Sequence, residues 1–366
     1  MFTYEEVNTQ NYLMKQRIGK NYKKNLYTLL NFALMFLAWL YLYSQIKNHN
    51  SFFIQITDLW NELQKNKAIL LIVFLLMFTN WILEAKKWQI LIKIVAKINL
   101  FQSLQSVWIG LSLATFLPLG NFLGRAKNLP QKNRFDSAGA LFVNGGLQFW
   151  VTMLGGIFGI SQFFELDNFL TFLLFVFWIL IYLLGLFFYK KWLLVKTPTT
   201  AKMEVVERSL VRTRAREAKN ENKIIRHFES VRQLKLVDKI IFWVQKNLYF
   251  VSQYSQKDIL KTTFLSLLRY LVFLVQMILI FKAANFSLSI DKIMIGSSLL
   301  FAAKSVLPVG GFFVGLSVRE ATALYFFGSL GEEKVVTITF LLWIINIGLP
   351  VLVGSVLLLK NKSKVV

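Results

Sequence analysis

The sequence predicts an all-α polytopic membrane protein, with six full spans and two re-entrant helical hairpins that form an inverted repeat. Of the 366 residues, 55% are hydrophobic and only 17% are charged, whereas a soluble domain carries roughly 25% charged residues. The charged residues also cluster between long apolar runs. Because such runs need a solvent other than water, we expect them to lie in a lipid bilayer.

Helix length selects the spans. A helix needs roughly 20 apolar residues, and at least about 17, to cross a hydrocarbon core of about 30 Å. Two apolar stretches, at about 100–117 and 293–307, each end in Leu-Pro followed by a glycine-rich run, and we expect both to fold back. Six other segments are long enough, and we predict full spans at 26–43, 67–83, 138–163, 168–189, 259–281 and 335–359.

The distribution of Lys and Arg predicts the orientation. With six spans and two hairpins, every basic cluster lies on one side of the membrane, which the positive-inside rule identifies as the cytoplasm. A full crossing at 100–117 would instead place Arg125 and Arg134 outside. Both termini are therefore predicted to be cytoplasmic. The predicted order is a basic leader at 1–25, a first membrane half at 26–189 with a hairpin at about 100–129, a basic loop at 190–258, a second membrane half at 259–359 with a hairpin at about 293–330, and a tail at 360–366.

Proline and glycine mark the two breaks. Proline removes a backbone donor and ends a helix, and glycine permits tight turns. An alternative is that the glycines only allow close helix packing. Each break lies between two full spans, and the hairpins open from opposite sides, as in transporters whose broken helices form a substrate site near the midplane. The residues concerned are Pro118, Gly120 and Gly124 in the first break, and Pro308, Gly310, Gly311 and Gly315 in the second.

Polar residues at membrane depth are the candidate binding residues. Arg269 lies about ten residues into its span, where an arginine costs about 2.5–3.5 kcal/mol and should face protein or water. Arginine also binds phosphate through paired hydrogen bonds. The candidates for lipid or substrate binding are Arg125, Asn144, Gln148, Arg269, Gln276, Lys304, Arg319, Glu320 and Asn346.

Alternative roles apply to some of these residues. Asn144, Gln148 and Asn346 are equally consistent with hydrogen bonds that hold helices together. Arg125 is also consistent with an anchor at the level of the lipid headgroups. Glu84, at the end of its predicted span, is interpreted as an interfacial anchor.

Composition excludes or disfavours several chemistries. Cysteine is absent, and His49 and His227 both lie in polar connecting segments, so we expect no metal site and no cofactor. The net charge of +23 is attributed to topology and anionic lipid. Binding of nucleic acid is disfavoured because no aromatic platform or recognised RNA-binding module is present. No Walker-type Gly-Lys-Ser/Thr motif is present, which excludes ATP drive within this chain.

The segment 190–257 is strongly basic, with sixteen Lys and Arg against six Asp and Glu. Orientation and contact with anionic headgroups explain this excess. Near its end, apolar residues recur at helical spacing, which predicts an amphipathic helix on the membrane surface. These residues are Leu236, Ile240, Trp243, Val244, Leu248 and Val251.

Four groups of residues carry a resemblance to a known family. They are Asn80-Trp81 with Glu84, Lys87 and Trp88; Leu117-Pro118 through Gly124-Arg125; Gln148 through Thr152 and Gly155; and Leu307-Pro308 through Arg319-Glu320-Ala321. Over about 65–359 the chain resembles the lysylphosphatidylglycerol synthase transmembrane family, the flippase-like membrane part of bacterial multiple peptide resistance factors. It departs from the family in reading Gly-Leu-Ser-Val-Arg-Glu, where the family more often has a glycine before the valine. We also expect the soluble aminoacyl-transferase domain to be missing, because the sequence ends seven residues after the last predicted span.

The resemblance implies a lipid-accessible cavity and translocation of aminoacylated phosphatidylglycerol, or a related anionic or polyprenyl lipid, across a bacterial inner membrane. The implied partners are membrane phospholipids and a separate lipid-modifying enzyme, and a homo-oligomer is compatible with it. We therefore expect a transporter without enzymatic activity. Two alternatives remain open: an intramembrane enzyme acting on a lipid or polyprenyl-phosphate carrier, with Glu320 as its carboxylate, or a membrane scaffold for an envelope assembly.

Overall fold

All regular structure in the described part of the chain is helical. The computed structural model describes residues 52–117, 119–130, 134–196, 244, 246–306, 312–330 and 332–360. Its main helices are α1 (Phe52–Lys65), α2 (Lys67–Ile92), α3 (Leu100–Phe116), α4 (Gly120–Ala126), α5 (Ala138–Phe163), α6 (Asn168–Lys196), α7 (Gln256–Ala283), α8 (Ile290–Val306), α9 (Phe312–Phe327), α10 (Glu332–Trp343) and α11 (Leu349–Lys360).

Five helical segments among the described residues are long and apolar enough to cross a membrane. They are Lys67–Ile92, Phe135–Phe163, Asn168–Phe187, Gln256–Ala283 and Lys334–Lys360. Each overlaps one of the predicted spans. The remaining predicted span, 26–43, lies outside the described residues, as do both chain ends.

Two elements differ from the predicted boundaries. α2 runs on to Ile92 instead of ending at 83, because Leu91 and Ile92 after the charged residues are again apolar and fully buried. The segment 44–66, between the first two predicted spans, contains α1, which buries Leu59 and Leu63 in an apolar core formed mostly by the second half of the chain.

The first Leu-Pro stretch ends in a tight helical hairpin. Leu119 adopts a left-handed conformation with φ 62° between α3 and α4. A Cβ on Gly124 would lie 2.4 Å from the Gly110 Cα, and one on Gly120 would lie 2.1 Å from the Leu113 carbonyl oxygen. The two helices therefore run back along each other in backbone contact, which only glycine allows. Pro118 itself lies outside the described residues.

The second Leu-Pro stretch lies between α8 and α9. A Cβ on Gly296 of α8 would lie 2.4 Å from the ring of Phe327, at the end of α9. This close approach brings the start of α8 beside the end of α9. Gly315 lies within α9, whereas Pro308, Gly310 and Gly311 lie outside the described residues.

The two membrane halves interlock through their hairpins. α3 packs on α11, where a Cβ on Gly354 would lie 2.2 Å from the Trp108 carbonyl oxygen. α8 packs on α5, where a Cβ on Gly156 would lie 2.7 Å from the Ala302 Cβ. α2 and α7 pack against each other between these pairs. The first helix of each hairpin thus contacts the span that follows the hairpin in the other half.

Hydrogen bonds between distant segments define one end of the bundle, which we call the basic end. Tyr254 Oη donates to the Leu91 carbonyl at 2.7 Å, and Asn128 Nδ2 donates to the Gln102 carbonyl at 3.3 Å. The end of α2, the start of α3 and the segment after α4 therefore lie level with the start of α7. Described basic residues here outnumber the acidic residues Asp136 and Asp258; they include Lys93, Lys97, Lys127, Arg134, Lys246, Lys257, Lys261 and Lys360.

The opposite end of the bundle is balanced in charge. Asn66 Nδ2 donates to the Ala283 carbonyl at 2.9 Å, which joins the start of α2 to the end of α7. Basic and acidic residues occur here in similar numbers: Lys65, Lys67, Lys282, Lys292 and Lys334 with Asp58, Glu62, Glu165, Asp167, Asp291, Glu332 and Glu333.

Most of the basic segment lies outside the described residues, which resume at 244 and 246. The part at 246–252 is helical and docks on the start of α5, because Asn247 Oδ1 accepts a hydrogen bond from the Gly139 N–H at 2.8 Å. Val251 packs against the apolar core beside Trp88. This end of the predicted surface helix thus contacts the bundle directly.

Candidate functional site

Glu84 is the centre of a buried polar cluster in which four helices meet. Its side chain is 2% exposed. Oε1 accepts hydrogen bonds from Arg125 Nη2 at 2.6 Å and from Asn144 Nδ2 at 2.8 Å. Oε2 accepts from Arg269 Nη1 at 2.5 Å and from Lys87 Nζ at 3.3 Å. One carboxylate therefore ties α2 to α4, α5 and α7; we call this group of five residues the Glu84 cluster.

Each cation of the cluster has a second polar partner. Arg125 Nε donates to Asn121 Oδ1 at 2.8 Å. Arg269 Nε donates to Asn80 Oδ1 at 2.7 Å. Lys87 Nζ donates to Gln148 Oε1 at 2.9 Å. These bonds hold the three cationic groups in fixed positions.

Aromatic rings cover both guanidinium groups. The guanidinium carbon of Arg125 lies 5.3 Å from the ring centroid of Trp88, and that of Arg269 lies 5.4 Å from Trp81 and 5.6 Å from Phe273. A cation within about 6 Å of a ring centroid is attracted by the ring quadrupole. The rings thus stabilise positive charge where water is largely excluded.

The Glu84 cluster has more positive than negative charge. Three cations, Lys87, Arg125 and Arg269, face the single carboxylate of Glu84, which leaves a formal excess of two positive charges. Buried charges need compensation, and a further anion would supply it. Arg125 Nη1 is buried and has no hydrogen-bond partner among the described residues, so it is free to donate to such an anion.

A cavity of about 440 Å³ opens beside the cluster. Its volume lies in the range of roughly 300–1,000 Å³ that is typical of ligand pockets. The polar side chains in its lining include Glu84, Arg125, Asn144, Gln148 and Arg269. We call it the Glu84 cavity.

A second, smaller cavity of about 70 Å³ lies near the tip of α8. Its polar lining consists of Lys304, Arg319, Thr339 and Asn346. Arg319 pairs with Glu320, and the Glu320 carboxylate also accepts a hydrogen bond from Thr339 Oγ1. We call it the Arg319 cavity.

A wall of aromatic rings separates the two cavities. Trp81 lines the Glu84 cavity, and its Nε1 donates to the carbonyl of Asn346, which lines the Arg319 cavity, at 3.0 Å. Pro350 has no N–H to donate to that carbonyl four residues earlier, so the indole takes over this role. A π-helical turn at Ile344–Gly348 accompanies the break. Phe273, whose ring also contacts the guanidinium of Arg269, completes the wall.

The structure places the predicted candidate residues in three locations. Gln276 is fully buried and donates through Nε2 to the Val73 carbonyl at 2.9 Å, where it joins α7 to α2 and lines neither cavity. Glu320 lies behind Arg319 and orients it. The other candidates line one cavity or the other: Arg125, Asn144, Gln148 and Arg269 the Glu84 cavity, and Lys304, Arg319 and Asn346 the Arg319 cavity.

The interpretation of Glu84 as an interfacial anchor is wrong. The residue is buried because α2 continues for two further turns to Ile92 and because three of its four partners come from other helices. Asn80, Glu84 and Lys87 recur at i, i+4 and i+7, so they share one helix face. That spacing, followed by apolar residues up to Ile92, was the signal in the sequence for a buried polar face.

Long apolar helices that enclose buried, paired charges define the class of this protein: it is a multi-pass helical membrane protein. The chain belongs to the family described as lysylphosphatidylglycerol synthase TM region, which its residues 30–354 match. This confirms the family expected from the motifs and extends the match upstream of the predicted 65–359. Neither the curated proteins nor the solved structures provide a match to the chain.

Proposed function

We propose that this protein is a flippase or scramblase that moves a phospholipid across a bacterial inner membrane. The substrate class is phosphatidylglycerol, its aminoacylated form, or a related anionic or polyprenyl lipid. The observation that carries the proposal is the Glu84 cavity, which opens beside the buried Glu84 cluster and its formal excess of two positive charges. A separate lipid-modifying enzyme would supply an aminoacylated substrate.

The cavity offers what a phosphate needs during crossing. Moving a charged headgroup alone through hydrocarbon costs on the order of tens of kcal/mol by idealised estimates. Arg125 and Arg269 bind opposite oxygens of Glu84, so the carboxylate sets the spacing between them. A phosphate that accepts hydrogen bonds from both guanidinium groups would be neutralised at this depth, while the acyl chains stay in lipid.

The two hairpins are proposed to be re-entrant. α4 has 7 residues, about 10 Å at 1.5 Å per residue, and cannot cross a core of about 30 Å. The bond from Asn128 to Gln102 brings both ends of the first hairpin to the basic end. The excess of Lys and Arg at this end favours a cytoplasmic location. Together with the reciprocal packing of α3 on α11 and of α8 on α5, this supports an inverted repeat around the cavities.

The competing hypothesis of an intramembrane enzyme would need a carboxylate free to exchange protons with substrate. The Glu320 carboxylate instead accepts hydrogen bonds from Arg319 and Thr339, and Glu84 is bound by three cations. These interactions favour a role for both carboxylates in positioning the cations, and they therefore favour a transporter over an enzyme.

Reconstitution into liposomes tests the proposal. Fluorescent phosphatidylglycerol is placed in the leaflet that an impermeant reductant cannot reach, and loss of fluorescence is followed after the reductant is added. Wild-type protein should move this lipid to the accessible leaflet, where it is quenched. Arg269→Gln should slow this exchange by at least about tenfold, which corresponds to ~1.4 kcal/mol of lost stabilisation of the crossing headgroup. Lys261→Gln, an exposed position on the same helix, should leave the rate unchanged.

A second variant separates a transport defect from a folding defect. Arg269→Gln leaves Glu84 with fewer partners, so it lowers stability as well. The double variant Glu84→Gln with Arg269→Gln removes one charge of each sign and keeps the net charge of the cluster. It should remain monodisperse and still exchange lipid slowly. Wild-type rates in both variants would refute the proposed function.

A further inference from the structure

We propose that the Glu84 cavity selects headgroups by charge: it favours a phosphate monoester at the end of a lipid anchor and disfavours a headgroup that carries an ammonium group. The inference deepens the proposed function, because it narrows the substrates named there to one headgroup class, and it rests on that function for the transport step. Phosphatidic acid and a polyprenyl monophosphate share this headgroup chemistry, and the experiment below distinguishes them.

Glu84 has no acceptor left for a cationic headgroup. A carboxylate has about four acceptor sites, and each of the two Glu84 oxygens already accepts hydrogen bonds from two donors within the Glu84 cluster. Among the described residues that line the cavity, Glu84 is also the only acidic one. An ammonium group that enters the cavity would therefore find no free counter-charge there.

Arg125 offers an oriented donor to an anion. Its Nη2 donates to Glu84 and its Nε to Asn121, so the guanidinium is fixed in place. The remaining Nη1 is buried and has no hydrogen-bond partner among the described residues. Leaving a buried donor unpaired is costly, and a phosphate oxygen pairs well with a guanidinium N–H. The lining thus favours an anionic group over a neutral or cationic one.

The charge of the Glu84 cluster matches a doubly charged anion. Its three cations exceed its single carboxylate by two charges. A phosphate monoester carries about −1.5 to −2 charges at pH 7, whereas the phosphodiester of phosphatidylglycerol carries one, and an aminoacyl ammonium offsets that charge. Because charges interact strongly where little water is present, affinity should fall in the order monoester, diester, aminoacylated diester.

Lys87 provides one of the two excess charges without lining the cavity. Its side chain is fully buried, and its Nζ donates to Glu84 and to Gln148. It is not among the described residues that line the cavity, so it acts on a headgroup through its charge and not through a hydrogen bond. Removal of this charge should therefore change the selectivity between headgroups while Arg125 and Arg269 stay available.

Lipid exchange in liposomes tests this selectivity. Trace amounts of phosphatidic acid, phosphatidylglycerol or aminoacylated phosphatidylglycerol carry the same fluorescent label on an acyl chain, so only the headgroup differs. After subtraction of the rate in protein-free liposomes, wild-type protein should exchange phosphatidic acid at least about fivefold faster than phosphatidylglycerol, and the aminoacylated lipid at least about fivefold more slowly than phosphatidylglycerol.

Variants at Lys87 test the role of charge. Lys87→Gln should reduce the ratio of the phosphatidic acid rate to the phosphatidylglycerol rate below about twofold. Lys87→Met, which has a side chain of similar length without the charge, should do the same. The matched control is Lys86→Gln, because Lys86 is the exposed neighbour on the same helix, and it should keep the wild-type ratio. The ratio reports selectivity even where a variant lowers the amount of folded protein.

Thermal unfolding in detergent measures the same preference without transport. Wild-type protein, Lys87→Gln and Lys86→Gln are titrated with short-chain phosphatidic acid and, separately, with short-chain phosphatidylglycerol. A ligand that binds only the folded state raises Tm. We expect the larger rise with phosphatidic acid for wild type and Lys86→Gln, and similar rises with the two lipids for Lys87→Gln.

A labelled polyprenyl monophosphate distinguishes the two lipid sources. Faster exchange of this lipid and of phosphatidic acid than of phosphatidylglycerol assigns the selectivity to the headgroup alone. A preference for only one of the two monoesters assigns the site to that lipid anchor as well. Equal rates for phosphatidylglycerol and both monoesters, faster exchange of the aminoacylated lipid than of phosphatidylglycerol, or an unchanged ratio in the Lys87 variants would overturn the inference.

The outcomes also distinguish this inference from the proposed function. A larger rise in Tm with phosphatidic acid that is lost in Lys87→Gln, with no exchange of any lipid by wild type, would retain the selectivity and reject the flippase. Exchange of all headgroups at equal rates would retain the flippase and reject the selectivity.

Discussion

At the scale of single residues, Glu84 decides whether the Glu84 cluster holds together. Its carboxylate separates three cations that would otherwise face one another in a site with little water. Like charges repel strongly at low dielectric. The carboxylate thus offsets the repulsion among the cations and lets guanidinium groups lie close together where a phosphate can reach them.

Replacement of Glu84 by glutamine should therefore be strongly destabilising. The amide keeps the shape but leaves Lys87, Arg125 and Arg269 without a counter-charge, and breaking a buried ion pair from one side costs about 3–5 kcal/mol. Thermal or SDS-induced unfolding of the purified protein measures the loss. The matched control is Glu62→Gln, which breaks the exposed pair with Lys65 and should cost less than about 1 kcal/mol. Similar losses in the two variants would contradict a central role for Glu84.

The sequence pointed to the buried cations but not to the carboxylate between them. Arg269 stood out because a charged residue inside an apolar run is rare, and Arg125 because it follows a helix break. Glu84 lies 41 residues from Arg125 and 185 from Arg269, so its pairing becomes visible only in the folded chain. The i, i+4 and i+7 spacing around Glu84 indicates a buried polar face, but it does not reveal which distant residues pair with this carboxylate.

At the scale of helices, the first hairpin depends on glycine at its closest contact. A Cβ on Gly124 would lie 2.4 Å from the Gly110 Cα, with backbone and no flexible side chain in the way. Gly124→Ala should force α3 and α4 apart and destabilise the protein by about 1–3 kcal/mol or more, as overpacking does. Thermal unfolding checks this value, and lipid exchange should fall with it because Arg125 is the next residue.

The matched control lies in another helix at a glycine with free space around it. Nothing lies within 4 Å of a Cβ built on Gly146. Gly146→Ala should leave Tm unchanged or raise it, since alanine is favoured over glycine inside a helix by roughly 0.5–1 kcal/mol. If Gly124→Ala were as stable as Gly146→Ala, the backbone contact between α3 and α4 would not exist in the membrane.

Apolar length predicted the helices better than it predicted their interruptions. The predicted span 138–163 coincides with α5, and 259–281 lies within α7. Proline and glycine predicted where helices break, because their backbone limits are local. The π-helical turn at Ile344–Gly348 was not predicted, since its stabilising partner, the Trp81 indole, comes from a distant helix.

At the scale of the whole molecule, the two halves depend on each other. Because Gly354 has no side chain, the backbone of Trp108 packs directly against it, and Gly156 packs against Ala302 for the same reason. Each contact joins a hairpin of one half to a span of the other. Each half therefore needs the other half to bury the helix surfaces that its small residues form. Contacts separated by more than a hundred residues carry no local sequence signal, which is why the motifs predict a repeat but not the packing of the two halves against each other.

The proposed inversion makes a testable statement about sidedness, and the absence of cysteine makes the chain suited to it. Single cysteines at Lys97 and Pro130 bracket the first hairpin, and single cysteines at Lys292 and Ser329 bracket the second; all four positions are exposed.

With an impermeant thiol reagent, Lys97→Cys and Pro130→Cys should label only from the cytoplasmic side, because the excess of basic residues retains that end inside. Lys292→Cys and Ser329→Cys should label only from the other side, with Glu165→Cys as the reference for that surface. A pair that labels from two different sides would show that its hairpin crosses the membrane, which would contradict the proposed inverted repeat.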